Sequence, residues 1–372
     1  MIMPSDYAHY QFRIELLSPV AADSPFDSDT LWGRVICALM EGSQSERQLG
    51  ESWIHELADK ASSPDSDWYP PLIVSEGFQC GSNGRPWLPV PLAIRRKWED
   101  EAPAKHKLSR KEIKKLDRVP LETFLELCEG NEADLEHLRG LCADAPQVVP
   151  SLQPHLAMDR LSGAGLEGML YMMPLSVYRA GPAPTESVQN PPLKEPPPQI
   201  CFFLKVRQSA DAALIESALK CVCGEGWGHG KSRGLGRIRL VSPDGWQRWQ
   251  PETFEGTANG FVSLSHFCPA ANNPTRGYWD IQAKHPVPAQ FVGDKRVPLG
   301  EGKNWRVRSF LRLRAGSCFG LETAPLRECY GRILRGLLKP ADDDTEENTA
   351  PSLFHYALSF PWPLKTTRFE TR

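Results

Sequence analysis

An α+β fold is predicted for this chain of 372 residues. Three observations predict it. An alternating segment followed by a helical one opens the chain, the same pair recurs from Ile200, and short apolar pieces divided by proline and glycine lie between and after them.

Tyr10-Gln11-Phe12-Arg13-Ile14-Glu15-Leu16 alternates apolar and polar residues, which predicts a half-buried first strand with Tyr10, Phe12, Ile14 and Leu16 turned inward. A turn at Ser18-Pro19 ends it. Asp27, Ser28, Asp29 and Thr30 offer N-cap side chains ahead of Leu31, Trp32, Val35, Ile36 and Leu39, an apolar set at helical spacing. Pro70, Pro71, Pro86, Pro89 and Pro91 then divide the chain into short strands and loops, with Leu72-Ile73-Val74 and Trp87-Leu88 as the apolar pieces. Residues 95–118 are dense in Lys and Arg and are expected to form a polar insertion.

Gly168 to Met172 is strand-like, and the proline-rich stretch 181–198 must be an extended surface loop. Ile200 to Val206 forms a strongly apolar strand, and Ala212 to Val222 a short amphipathic helix. Strand–helix early and strand–helix late, with strands between, is the pattern of a ferredoxin-like β-α-β-β-α-β unit whose middle has been expanded. The glycine-dense segment 224–236 closes that unit. Strands resume at Arg237–Val241 and Phe261–Leu264, Asn304–Arg314 alternates again, Asp342–Glu347 is expected as a solvated loop, and His355–Phe360 as a closing strand. A domain change near residue 245 gives an N-terminal domain over 1–245, with an insertion at about 95–165 and a glycine-rich loop at 224–236, and a C-terminal domain over 246–372.

Composition removes whole classes of function. Hydrophobic residues make 41% of the chain and charged ones 24%, so neither disorder nor a coiled coil fits. Forty-three Lys and Arg against 46 Asp and Glu leave a net charge of −3, so a nucleic-acid partner would have to be held by local basic patches. The ten cysteines include no C-x-x-C pair, which argues for reduced thiols in a cytoplasm and against a zinc framework. No uninterrupted apolar run reaches about 18 residues, and Met1–Tyr10 lacks the basic and apolar regions of a signal. A soluble cytoplasmic protein without membrane contact or cofactor is expected.

Gly226, Gly228, Gly230, Lys231, Ser232, Arg233 and Gly234 form the segment with the most chemistry. It is not a P-loop, because the glycine required five residues before Gly230 is Glu225, and no register supplies G-x-G-x-x-G. A flexible backbone rich in N–H groups, with Lys231, Arg233 and Arg237 beside it, suits a polyphosphate backbone such as RNA. A tight strand connection alone would explain the glycines but not the cations. In Trp305 to Arg314, alternation places Arg306, Arg308, Phe310, Arg312 and Arg314 on one face, expected to be cationic and open to RNA or to an acidic partner, and Val307, Leu311 and Leu313 on a core face. His9, His55, His229 and His285 are the candidates for a metal-independent nuclease by position only. Asp27 and Asp29 could hold a divalent ion, but N-capping is the commoner role. No spacing in the chain suggests a metal site.

These segments resemble the RAMP superfamily of CRISPR proteins, and within it the Cas5-like, handle-binding group of the type III-A Csm effector. Gly228-His229-Gly230-Lys231-Ser232-Arg233-Gly234-Leu235-Gly236 is similar to the family's C-terminal glycine-rich loop. Ser28-Asp29-Thr30-Leu31-Trp32-Gly33 is similar to the family's start of the first helix, and Ala157-Met158-Asp159-Arg160-Leu161-Ser162-Gly163 to its aliphatic-Asp-Arg-x-Thr-Gly segment, with Ser162 for Thr. Sister subunits of type III-B and III-D complexes share versions of each. The resemblance implies two ferredoxin-like, RRM-type domains, with the basic insertion as part of a thumb or interdomain element. It implies a non-catalytic role: holding the repeat-derived 5′ handle of a CRISPR RNA, capping the filament of backbone RAMP subunits and docking the large polymerase-like subunit. Lys231, Ser232, Arg233 and the surrounding glycines would line the RNA, with Arg160 on the thumb side. The alternative within the superfamily is a metal-independent endoribonuclease that processes repeat RNA.

Overall fold

The computed structural model describes residues 6–60, 69–105, 108–158, 165–181, 196–251, 254, 257–286, 291–292, 295–296, 305–322, 325–335, 337–340 and 354–369. The proline-rich 182–195, Arg160 and the acidic 342–347 lie outside these.

The strand at Tyr7–Leu16 starts three residues before the alternation and pairs antiparallel with Gln199–Arg207 along nine residues, Gln11 facing Phe203. Ile238–Leu240 lies on its other side and Leu72–Val74 beyond Gln199–Arg207. In chain order this is 4-1-3-2, all neighbours antiparallel, with the helices Ser28–Glu41 and Ala212–Glu225 after the first and third strands. The ferredoxin-like unit read from the strand–helix pattern is therefore present. The second helix outruns its predicted end because Asp211 caps its start and Gly226, at φ 81°, stops it only after Glu225.

Gln199–Arg207 reads as continuously apolar because both its faces are buried. Ile200, Phe202, Leu204 and Val206 lie under the two helices with Phe12, Ile14, Leu31, Val35 and Leu219. Cys201 and Phe203 point the other way, into a second core with Val262, Leu264, Cys318, Phe360 and Trp362.

That second core belongs to a smaller sheet in the order Gly277–Tyr278, Cys318–Gly320, Gly260–Ser263, Pro361–Leu364. In chain order this is 2-3-1-4, the ferredoxin-like sequence of strands read from its other edge. Among the described residues its crossovers contain no helix, so the second unit repeats the strand order without the helical layer. The α+β class holds throughout.

Residues 95–118 differ from a purely polar insertion. Helix Leu92–Lys105 buries Trp98, helix Arg110–Lys115 buries Ile113, and Leu108 and Leu116 beside them join the second core, while the exposed Arg96 meets the buried Glu99 at 2.9 Å. The charge density hid a sparse apolar stripe. The strand expected at Gly168–Met172 is longer, forming the hairpin Gln147–Met158 with Gly165–Arg179, anchored at its base by Val20–Ala21.

Candidate nucleic-acid interface

The glycine-rich loop is built on one buried anchor. Trp227 is fully buried, stacks on Phe26 at 4.8 Å and donates its indole N–H to the Pro25 carbonyl at 3.2 Å. Its amide donates to the Gly236 carbonyl at 2.6 Å, while the Gly236 amide donates to Pro19. These bonds close the neck of the loop. Gly236 must be glycine, since its φ is 62° and a Cβ would stand 1.8 Å from the Trp227 carbonyl oxygen.

Between anchor and neck, Lys231–Arg233 forms one 3₁₀ turn bounded by Gly230 and Gly234, both left-handed. The Arg233 amide donates to Gly230 and that of Gly234 to Lys231, which tightens the turn and lifts Lys231, Ser232 and Arg233 into solvent. Leu235, the next residue, is buried against Ala21, Met173 and Leu175 at the base of the hairpin. The loop and hairpin are thus one body. The Arg233 guanidinium lies 5.7 Å from the Tyr171 ring centroid and 3.6 Å from the Met173 sulfur, and Tyr171 stacks on His155 across the hairpin at 5.4 Å.

The charges at the loop's edge are arranged around Glu225. Arg34 reaches its carboxylate at 3.0 Å and also donates to the Gly226 carbonyl, and Lys231 stands at 3.9 Å. Burial, followed by repulsion from Arg34, lowers the Lys231 pKa from its ordinary value. His229 on the same loop is paired with Asp23 at 3.1 Å.

The opposite surface of the hairpin carries no such partners. Register places Leu152, Leu156, Leu170 and Met172 on it, each at least half exposed. The described hairpin therefore turns a face with Tyr171 and His155 to the cationic loop and a face of Leu and Met side chains to solvent.

The remaining sequence candidates fall elsewhere. The predicted strand over 305–314 is two strands, Trp305–Val307 paired with Leu338–Pro340 and Phe310–Leu313 paired with Ile281–Lys284, separated at Arg308 and Ser309. Its cationic face is inverted at Arg312, while Arg308 and Arg314 stay exposed. Arg312 is 4% exposed and Leu311 65%, because Arg312 turns inward to the carboxylate of Asp27 at 2.7 Å. Phe310 packs edge-on against His355 at 4.7 Å, and the Arg308 amide donates to Leu337 while the residue itself is exposed. Arg306 lies in Trp305–Val307. Of the sequence candidates, the structure gathers Gly226 to Gly234 against the hairpin.

Asp27 and Asp29 also depart from their expected role. Asp27 occupies the N-cap of Ser28–Glu41 but its side chain makes no capping bond. Instead Lys284 stands 2.7 Å from Asp27 and 3.1 Å from Asp29, and His355 3.1 Å from Asp29. Burial and mutual repulsion would raise the pKa of Asp27, yet Arg312, Lys284 and His266 outweigh them and hold it low. Burial likewise opposes ionisation of Asp29, which the hydrogen bond from His355 and the charges of His355, Lys284 and Arg312 overcome. Nearby, Ser28 donates to Glu76 at 2.9 Å and His266 meets Glu76 at 2.7 Å. Asp27, Glu76 and His266 bring ligand atoms within 4.8 Å of one another, but the positive charge at Asp27 is supplied by Lys284 and Arg312. Trp32 of the same motif stacks on Tyr356 at 5.3 Å. The segment that starts the first helix is a joint to the strands Ile281–Lys284, Phe310–Leu313 and His355–Leu358. Sequence reasoning missed it because its counterions come from residues 284, 312 and 355; the one available signal was basic residues placed alternately in apolar strands.

The four candidate histidines are dispersed. His9 is half-buried in the first strand, where burial and Lys205 bring its pKa down to about 4; His55 lies on the helix Gln44–Lys60; His285 contacts Ser309 at 2.6 Å. No described helix is long and apolar enough to cross a membrane.

Two solved structures are similar to the chain. One is a chain of the crystal structure of a Csm1–Csm4 cassette in complex with pppApA, at 14% identity and a TM-score of 0.51, over 96% of this chain and 98% of that one. The other is a chain of a Csm3–Csm4 subcomplex from the type III-A CRISPR-Cas interference complex, at 12% identity and a TM-score of 0.51, over 94% and 98%. At this identity the likeness establishes a common fold over nearly the whole chain. No protein-family model and no curated protein matches the sequence.

Proposed function

We propose that this chain is the non-catalytic CRISPR RNA-binding subunit of a type III-A effector complex, holding the repeat-derived 5′ handle and linking the large polymerase-like subunit to the backbone RAMP subunits. The observation that carries the reading is the Lys231-Ser232-Arg233 turn, fixed between two left-handed glycines and seated on the hairpin with its cations outward. Such a turn offers amide N–H groups and two charges to phosphate, and the Tyr171–Arg233 pair offers a flat surface to a base. The shared fold supports the same reading, because Csm4 is the component common to the two complexes it resembles, one with Csm1 and one with Csm3. The subunit does no chemistry in this reading. Its loop histidine, His229, is engaged with Asp23 and Ser24.

The test is to purify the tagged chain from cells carrying its CRISPR locus, then sequence the RNA and identify the proteins retained. CRISPR RNAs sharing one repeat-derived 5′ end, with a large subunit and several backbone copies, are expected. Absence of RNA overturns the reading. Unprocessed repeat RNA on the chain alone, with a specific cut in EDTA that disappears in His229→Ala, replaces it by the endoribonuclease.

A further inference from the structure

The ribbon formed by Ile281–Lys284 and Phe310–Leu313 is amphipathic in the wrong sense. Register places Gln282, Lys284, Phe310 and Arg312 on one face and Ile281, Ala283, Leu311 and Leu313 on the other. The polar face is the inward one. It is satisfied there by the first helix, since Lys284 and Arg312 both meet Asp27 at 2.7 Å and Gln282 accepts from Arg312 at 3.1 Å.

Of the apolar face, Leu313 packs against Phe261, Phe267 and Phe319, and the rest is left outside. Ile281 is 58% exposed and Leu311 65%, Ala283 is exposed beside them, and Trp279, two residues ahead of Ile281, is 44% exposed with its ring parallel to Phe319 at 5.8 Å. A soluble chain normally spends a ribbon's aliphatic side on its own core. Here the joint has claimed the charged side, and a contiguous aliphatic and aromatic patch faces solvent, the feature that marks an interaction surface.

We infer that this outward face is a protein-docking surface, whose occupant is another subunit presenting aliphatic side chains with acidic residues around them. The inference rests on the proposed membership of an effector complex. Two observations choose a protein over nucleic acid. The side chains of the patch proper are aliphatic apart from Trp279, and its exposed cations stand at the margin and not across it, where a phosphate backbone would run. Exposed Arg314 and Arg332 lie at its margins, Arg314 following the strand and Arg332 acting on the Cys268 thiol, whose sulfur is 3.3 Å from the Leu311 carbonyl. They give the rim a positive charge that an acidic rim would complement.

The test uses the full chain co-expressed with the large and backbone subunits and a CRISPR array. Ile281→Asp with Leu311→Asp places two carboxylates on the patch and should reduce the retention of one protein subunit by at least about tenfold, with CRISPR RNA on the chain unchanged. Retention of both subunits at the unmodified level overturns the inference while leaving the RNA-binding function intact. Loss of RNA with both subunits kept makes the face a nucleic-acid surface and also overturns it. A melting temperature of the isolated variant lowered by more than about 5 °C shows that the chain itself covers the patch, and the docking surface is then overturned too. If the unmodified chain retains neither subunits nor CRISPR RNA, the function fails together with the surface.

Discussion

Arg312 and Asp27 stand 2.7 Å apart across 285 residues of sequence, and neither side chain is more than 5% exposed. With Lys284, Asp29 and His355 they tie the first helix of the N-terminal sheet to strands of the C-terminal half. A buried ion group of this kind contributes little net energy when complete, and becomes a large penalty when one member is removed.

Arg312→Ala should therefore destabilise the chain by about 3–5 kcal/mol, because it strands Asp27 without its guanidinium. The measurement is chemical denaturation of both single variants and of Arg312→Ala with Asp27→Asn. The double variant should lose less than the sum of the singles. Additive losses would mean that the pair is not coupled.

The same cluster sets an acid limit. Both aspartates are held below their ordinary value of 3.8, so the unfolded chain binds protons before the folded one as pH falls. Their contribution is complete above that value and is lost as pH drops below it. Melting temperature measured from pH 6 to pH 3 should fall steeply at the acid end, and Asp29→Asn should flatten the slope. An unchanged slope would place the acid sensitivity elsewhere.

On the proposed RNA-binding loop, Lys231→Glu and Arg233→Glu should each weaken binding of a 5′-handle oligonucleotide in the assembled complex. The slope of log affinity against log salt should shrink by about one for each charge lost from phosphate contact. Arg233→Lys separates its two roles. It keeps the charge but loses the flat contact with Tyr171, so weakened binding with an unchanged salt slope in this variant would assign Arg233 to base stacking.

Two glycines should respond in opposite directions. Gly236→Ala places a methyl group 1.8 Å from the Trp227 carbonyl oxygen and should prevent the loop from closing, with loss of RNA binding and a destabilisation of at least about 2 kcal/mol. Gly33, inside the first helix, meets nothing within 4 Å, so Gly33→Ala should stabilise the chain by about 0.5–1 kcal/mol. Calorimetry of the two variants checks both.

The strand–helix pairs at Tyr10–Leu39 and Ile200–Val222 were legible because each carries its own periodicity, and the ferredoxin-like order followed from their repetition. The shape of the loop was legible for a similar reason: glycines needed for left-handed backbone are a local requirement. The joint was not. Alternation around Arg312 separates two faces but does not say which is the core, and the answer depended on two carboxylates near residue 28. The helices around Trp98 and Ile113 were obscured by the opposite effect, since a dense charged face outweighs a narrow apolar stripe in any composition count.

The pairing of Tyr7–Leu16 with Gln199–Arg207 has a consequence for synthesis. Translation adds about 5–20 residues per second, so the first strand leaves the ribosome roughly 10–40 seconds before the strand that completes it. Asp27 and Asp29 wait longer still, until Lys284, Arg312 and His355 have been added. Through that interval the nascent chain exposes an unpaired edge with Phe12 and Ile14 beside two carboxylates that lack counterions. Translation of this chain is thus a long exposure to chaperones and proteases, and products that stop short of residue 199 lack the strand that completes the first sheet.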